Sequence, residues 1–492
     1  MALVCLLEHT APLAVKRIVV GDTPATVYRT AGAGPAPAVV IAHGFAGSRQ
    51  LMQPFAITLA RNGYVAVTFD FRGHGRNPHP LTGDVTKLDG ATRTLLQELA
   101  RVARFARNLP GSDGRLAVVG HSMASDIVVR HAQAHDVDAT IAVSMFAPSV
   151  EPASPRNLLV IVGAFEASAL QHAAREAVAM APAAPGAEEI EEGRTYGHHR
   201  DGTARRMVQA DGVEHIGVLY STEALAAARD WLNATFTVDD NGFVANRGPW
   251  IALLLVGIVV LGWVVAAALP RVADPAVGGG RPWRRCWPAA LVPAIVTPFV
   301  LRLVQPDFLP LLVADYLVAH FALYGLLGAA MLAWLARGDP VARRAWVSRP
   351  VLVAAALVAL YALATVGVAL DRFVMAFVPT PERGVLLAAM LAGTLPWALA
   401  DEWLARGPGA ARGVYPATKL LLLTSLGLAV ALDPQRLFFL LIIAPAMVAV
   451  FIVFGLFSRW AYRHTGHPLV AGLANALILA WALAVTFPLL GG

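Results

Sequence analysis

The chain has 492 residues, 57% of them hydrophobic, and a mean hydropathy of +0.58. That is too apolar for a soluble protein of this length, and the length itself predicts two to four domains. The net charge of +6 comes without any basic stripe interleaved with aromatics, which excludes nucleic acid as an expected partner.

The apolar excess divides the chain. Residues 1–240 read as an α/β domain, 241–249 as a linker, and 250–490 as a polytopic helical domain. Cys5 and Cys286 lie far apart and give neither a metal-ligand pattern nor a disulfide framework.

In chain order, Ala38-Val39-Val40-Ile41-Ala42 predicts a buried strand ending at His43-Gly44-Phe45. Ser48 is expected to cap a helix that stops near Asn62-Gly63. Tyr64 to Phe69 predicts the next strand, running into the glycine-punctuated loop Asp70-Phe71-Arg72-Gly73-His74-Gly75. Residues 87–108 read as helix and 115–119 as strand. Further strands are expected at 139–144, 157–162 and 205–210, and a closing amphipathic helix at 221–236. Strands alternating with helices predict a largely parallel sheet covered on both faces.

Between the strand 115–119 and the helical stretch from Ser125 lies Gly120-His121-Ser122-Met123-Ala124. A serine on a tight strand-to-helix turn is a nucleophile elbow, G-x-S-x-G, here with Ala124 in place of the last glycine. Ser122 is the candidate nucleophile.

Together, and in this order, the His43-Gly44-Phe45 turn, the Asp70–Gly75 loop and the Gly120–Ala124 elbow resemble the α/β-hydrolase family over residues 14–236. The style is nearest its dienelactone-hydrolase-like and small esterase members. The resemblance implies a base in the loop after the last strand, which is His215 in Asp211-Gly212-Val213-Glu214-His215-Ile216-Gly217. His198 and His199 are the rivals, in a polar segment before that strand. It implies an acid after a late strand, which is Glu166 in Gly163-x-x-Glu166. The order Ser122, Glu166, His215 is the one this fold requires. The Met123 and Phe45 backbone N–H groups are the implied oxyanion hole. Asp70, Arg72, His74 and Asp126 are expected to be structural. No metal and no organic cofactor is implied.

Eight apolar stretches follow, at about 250–269, 287–304, 308–336, 351–370, 384–400, 414–432, 436–458 and 468–490. Most reach the roughly 20 residues that cross a bilayer, so a lipid bilayer is the expected environment. Arginines are asymmetric. Loops after the odd stretches carry Arg271, Arg281, Arg284, Arg285, Arg337, Arg343, Arg344, Arg349, Arg406, Arg412, Arg459 and Arg463. The even loops carry only Arg302, Arg372, Arg383 and Arg436. The positive-inside rule then places the odd loops in the cytoplasm and the hydrolase-like domain outside it, at a bacterial inner membrane. Translocation needs a signal or anchor, and Met1–Leu7 is too short, lacks a basic start and meets Glu8 at once. The expectation is an anchor helix upstream.

Asp315, His320 and Lys419 are ionisable residues within the apolar stretches and candidates for a pathway. Asp401-Glu402-Trp403-Leu404-Ala405-Arg406 faintly resembles the E-E-x-x-x-R signature of the CAAX-protease-like membrane family, and His467-Pro468 to Asn475 its later His/Asn motif. Asp401 departs from the first glutamate and no F-x-x-x-H motif is evident, so no protease activity is expected. The expected function is a membrane-anchored serine hydrolase acting on a small ester or lipid-like substrate. The alternatives are an acyltransferase using the same residues, and a transporter or sensor carrying a hydrolase-fold binding module.

Overall fold

The computed structural model describes the chain except for residues 84–87, 146, 183, 240, 312, 338–346 and 492, and the side chains of 88, 89 and 442. Arg343, Arg344 and the expected helix start at residue 87 lie outside the described residues. The chain divides into two compact units. The first comprises Met1–Leu254 with Leu370–Ala376 and Pro488–Gly492. The second comprises Leu255–Ala369 with Phe377–Phe487.

The first unit is built on a nine-stranded sheet. Its strands are β1 (Leu13–Val20), β2 (Thr23–Thr30), β3 (Ala36–Ala42), β4 (Val65–Phe69), β5 (Ser112–His121), β6 (Ala139–Val143), β7 (Leu158–Gly163), β8 (Thr195–Tyr196) and β9 (Arg205–Ala210). Their order in the sheet is β1-β2-β4-β3-β5-β6-β7-β9-β8. From β4 through β9 the pairing is parallel. The hairpin β1–β2 joins β4 antiparallel, and β8 adds antiparallel to β9. The hairpin is absent from the sequence expectations, because its β1 is exposed along most of its length and has no buried apolar run to reveal it.

The helices of this unit are α1 (Ala2–Glu8), α2 (Gln53–Arg61), α3 (Arg93–Arg107), α4 (Met123–Ala134), α5 (Ser168–Ala179) and α6 (Thr222–Phe236). Alternation along each strand splits the core. Val39, Ile41, Val119 and Ile141 pack with Met52, Phe55, Leu59, Trp231 and Leu232. Val40, Ala42 and Val118 pack on the other face with Leu95, Leu99, Val102 and Val128. Strands buried on both faces read as continuous apolar runs, which is why β3 to β7 are legible in the sequence.

One expectation is corrected. Ser48 does not cap α2, whose first residue is Gln53. The Ser48 hydroxyl instead accepts the Ala376 N–H at 2.9 Å. Residues 48–52 form turns before the helix starts, where Pro54 occupies a position that needs no N–H donor. Ser221 does cap α6, accepting the Ala224 N–H at 3.3 Å.

The second unit is helical. Among the described residues, eight helices are long and apolar enough to cross a membrane: Gly248–Ala266, Trp283–Val304, Ala314–Leu335, Arg349–Phe373, Pro381–Ala405, Val414–Leu432, Ile443–Thr465 and Pro468–Thr486. The outermost turns of the first and fourth of these belong to the first unit. Pro288, Pro293 and Pro298 all lie inside the second helix. Buried Arg383 ties the fifth helix to the end of the eighth, donating to the Ala484 and Phe487 carbonyls at 2.7 and 2.9 Å.

Candidate active site

Four strand ends on one edge of the sheet carry the expected site residues, the edge where open parallel sheets present their loops to ligands. β3 leads to His43-Gly44-Phe45, β5 to Ser122, β7 to Glu166 and β9 to His215.

Ser122 sits between β5 and α4 with φ +54° and ψ −118°, a conformation that L-residues with a side chain rarely adopt. Its N–H is fixed by the Val143 carbonyl at 2.8 Å. The turn closes so tightly that a Cβ on Gly120 would lie 2.3 Å from the Ala124 carbonyl oxygen. Steric demand for glycine therefore falls on position 120. Ala124 contributes its backbone to that contact and buries its methyl completely. This is the physical reason the motif tolerates alanine at its last position.

The Ser122 hydroxyl and His215 Nε2 are 2.9 Å apart, and His215 Nδ1 and Glu166 Oε1 are 2.5 Å apart. The Glu166 side chain is fully buried, and its second oxygen accepts the Gly163 N–H at 2.8 Å. Both carboxylate oxygens are thus engaged, and the glutamate cannot turn away from the imidazole. The His215 loop is stiffened by Glu214, which accepts the Ile216 and Gly217 N–H groups, each at 2.8 Å. The structure brings Ser122, His215 and Glu166 into one relay. His199 is elsewhere, bonded to the Thr235 hydroxyl at 2.9 Å and packed on Trp231.

Met123 is the first residue of α4, where an N–H has no acceptor within its own helix. Phe45 follows Gly44, and a Cβ on Gly44 would lie 2.9 Å from Ser122 Cβ, so this turn abuts the serine. The Gly44 carbonyl accepts from His43 Nδ1 at 2.8 Å and from the Gly47 N–H at 3.1 Å. A peptide's C=O and N–H point in opposite directions. Fixing the Gly44 carbonyl therefore fixes the Phe45 N–H on the opposite edge. His43 Nε2 in turn accepts the Phe71 N–H at 3.1 Å, and burial holds the ring's pKa below its ordinary value.

Two histidines thus take positioning roles that the sequence reading did not assign. The second is His121, whose Nε2 lies 2.9 Å from the His215 carbonyl. Burial first, and the neighbouring His215 second, push its pKa down to about 3. The neutral ring donates from Nε2 and anchors the His215 backbone. The sequence signal was its place inside the elbow motif, but only the fold shows what it faces.

Asp70 is buried and accepts from the Arg49 N–H and guanidinium, both at 2.7 Å, and from the Arg76 N–H at 3.1 Å. Asp126 bonds Arg130 and the Ser149 hydroxyl. Among the described residues no group of three or more His, Cys, Asp or Glu side chains could hold a metal ion.

In the second unit, Asp315 pairs with Arg436 at 3.6 Å. His320 lies 3.2 Å from the Ser425 hydroxyl and 3.4 Å from that of Tyr316. Lys419 is paired with Asp401. Glu402 accepts from the Ser458 hydroxyl at 2.6 Å, from Asn475 at 3.3 Å and from Arg406 at 3.4 Å. His467 caps the eighth helix by accepting the Leu469 N–H.

Residues 33–192 match the family model of the serine aminopeptidases, S33. No protein of curated function matches the chain. Among solved structures, the chain is similar to a CIB-like hydrolase from Thermoplasma acidophilum, at 14% identity, covering 46% of this chain and 97% of that one, with a TM-score of 0.34. It is similar to the dienelactone hydrolase from Anabaena variabilis, at 17% identity, 45% and 96% coverage and a TM-score of 0.33. It is also similar to E-2-(acetamidomethylene)succinate hydrolase, at 15% identity, 45% and 100% coverage and a TM-score of 0.31. The chain is an α/β-hydrolase fold followed by an all-helical part, and its N-terminal region matches a hydrolase family.

Proposed function

We propose that the protein is a membrane-anchored serine hydrolase that cleaves a carboxylic ester or related acyl bond through Ser122, His215 and Glu166. The observation that carries this reading is the unbroken relay from Ser122 Oγ through His215 to a buried, doubly anchored Glu166.

A serine hydroxyl needs a base before it attacks a carbonyl. His215 Nε2 takes the proton as Oγ bonds to the acyl carbon. Glu166 accepts from Nδ1, which selects the tautomer with a free Nε2 and stabilises the imidazolium that forms. The Met123 and Phe45 N–H groups hold the oxyanion. His215 then protonates the leaving alcohol, leaving an acyl-enzyme on Ser122. Water, deprotonated by the same imidazole, releases the acid and restores the serine.

The test is fluorophosphonate labelling of the detergent-purified full-length protein with a series of short to long p-nitrophenyl esters. Wild type should label and turn over ester. Ser122→Ala should lose the label and at least about a thousandfold in kcat. Folded wild type that neither labels nor hydrolyses any ester would sink the reading.

A further inference from the structure

The first unit contains a cavity of about 210 Å³ that the hydrolytic reading does not use. Its cationic walls are Arg17 on β1, Arg49 before α2, Arg247 just ahead of the first membrane-crossing helix, and Arg372 in the last turn of the fourth. Leu6 and Leu7 of α1 and Phe373 supply apolar walls.

Two of the cavity's charges are neutralised. Arg49 is paired with buried Asp70 at 2.7 Å, and Asp371 with Arg76 at 2.6 Å. Arg17, Arg247 and Arg372 have no carboxylate partner among the described residues. Arg247 is the telling one. It is 1% exposed, its Nε has no hydrogen-bond partner, and its terminal nitrogens make only long contacts, 3.3 Å to the Leu6 carbonyl and 3.5 Å to Gln53. Arg247 and Arg372 both lie 5.6 Å over the Phe373 ring. Two like charges gathered on one ring, one of them buried with unmet donors, is costly unless an anion joins them.

We propose that Arg17, Arg247 and Arg372 form a binding site for a phosphate group. Guanidinium forks match the paired oxygens of an oxyanion. A tetrahedral phosphate offers such faces in several directions to cations placed around it, whereas a carboxylate offers one edge. Arg247 and Arg372 flank the ends of apolar helices, which sets the site at the depth of lipid headgroups. Beside it, α1 exposes Leu3, Val4 and Leu7, an apolar surface that suits acyl chains. The phosphate therefore belongs to an anionic lipid headgroup or to a free phosphate-bearing solute.

Thermal unfolding of the full-length protein in non-ionic detergent distinguishes the sources. One arm titrates inorganic phosphate at constant ionic strength. The other titrates phosphatidylglycerol in mixed micelles, with phosphatidylcholine as control. A ligand of the native state raises Tm saturably. The expected result is a saturable rise with at least one probe, and a midpoint at least tenfold weaker in the Arg17→Gln/Arg372→Gln double variant. Both side chains are exposed, so this variant removes charge without emptying the core. Should it fail to unfold cooperatively, Arg372→Gln alone is expected to weaken the midpoint at least threefold. Phosphatidylglycerol alone responding assigns a headgroup, and inorganic phosphate responding assigns a solute. No saturable rise in wild type, or an unchanged midpoint in the folded variant, overturns the site.

Discussion

His121 shows how a residue inside a motif can act through its neighbour. Its Nε2–H holds the His215 carbonyl, and its Nδ1 is buried with no partner among the described residues. Protonating Nδ1 would place a second N–H where nothing accepts it. The native pKa of about 3 lies below the ordinary 6.5. Between those values the unfolded chain binds the proton and the native state does not, so stability falls as pH drops from about 6.5 toward 3. The full shift is on the order of 5 kcal/mol. His121→Gln retains a donor for the His215 carbonyl and removes the titration. Its Tm should be below that of wild type at pH 7.5, and the gap should narrow as the pH is taken to 5. A constant gap across that range would show that His121 does not set the acid lability.

At the scale of elements, the β5–α4 turn concentrates its steric demand at one position. Gly120→Ala would drive a methyl against the Ala124 carbonyl and should cost about 3 kcal/mol or more, with fluorophosphonate labelling lost. Ala124→Gly restores the usual motif but removes a buried methyl from a helix. It should lower stability by roughly 1 kcal/mol and retain labelling. Chemical denaturation with a labelling assay reads both. A different kind of constraint joins the fifth and sixth membrane-crossing helices. Lys419 pairs with Asp401 while its ammonium sits 4.0 Å over the Tyr415 ring. Asp401→Ala or Lys419→Ala alone strands a buried charge and should cost about 3–5 kcal/mol. Asp401→Leu/Lys419→Met removes both charges and should recover most of that stability in detergent. A double variant as damaged as the singles would mean that the pair serves more than packing.

Across the whole molecule, the composition of the first unit bears on topology. Leu370–Ala376, spanning the end of the fourth apolar helix, and Pro488–Gly492, after the eighth, belong with Met1–Leu254. Gln53 donates to the Arg372 carbonyl at 3.1 Å, and Leu489 exchanges backbone hydrogen bonds with Gly73 and Leu81. Four helices long and apolar enough to cross a membrane separate each of these segments from the next, and four crossings would return the chain to the face it left. The arginine excess counted along the sequence predicts, by the positive-inside rule, that the first unit lies outside the cytoplasm. Thiol labelling of single cysteines in intact cells, at residues 374–376 after the fourth helix and at residues 271–276 after the first, should modify only the former with a membrane-impermeant reagent. The reverse pattern would place the unit in the cytoplasm.

Elements whose physics is local can be read directly along the chain. Strands buried on both faces announce themselves as apolar runs, apolar stretches of bilayer length do the same, and a glycine-crowded serine turn needs only five residues. Glu166 and His215 were legible through their order along the chain, since this fold fixes which strand end follows which. Other features arise where groups distant in sequence meet. β1 carries no buried run, and the place of its hairpin is set by the pairing of β2 with β4. The roles of His43 and His121 depend on which backbone carbonyl each ring faces. The Arg247 cavity takes its walls from α1, from β1 and β2, and from a turn more than a hundred residues further on. Burial and unmet hydrogen bonds are properties of that assembled environment, and no local stretch of sequence encodes them.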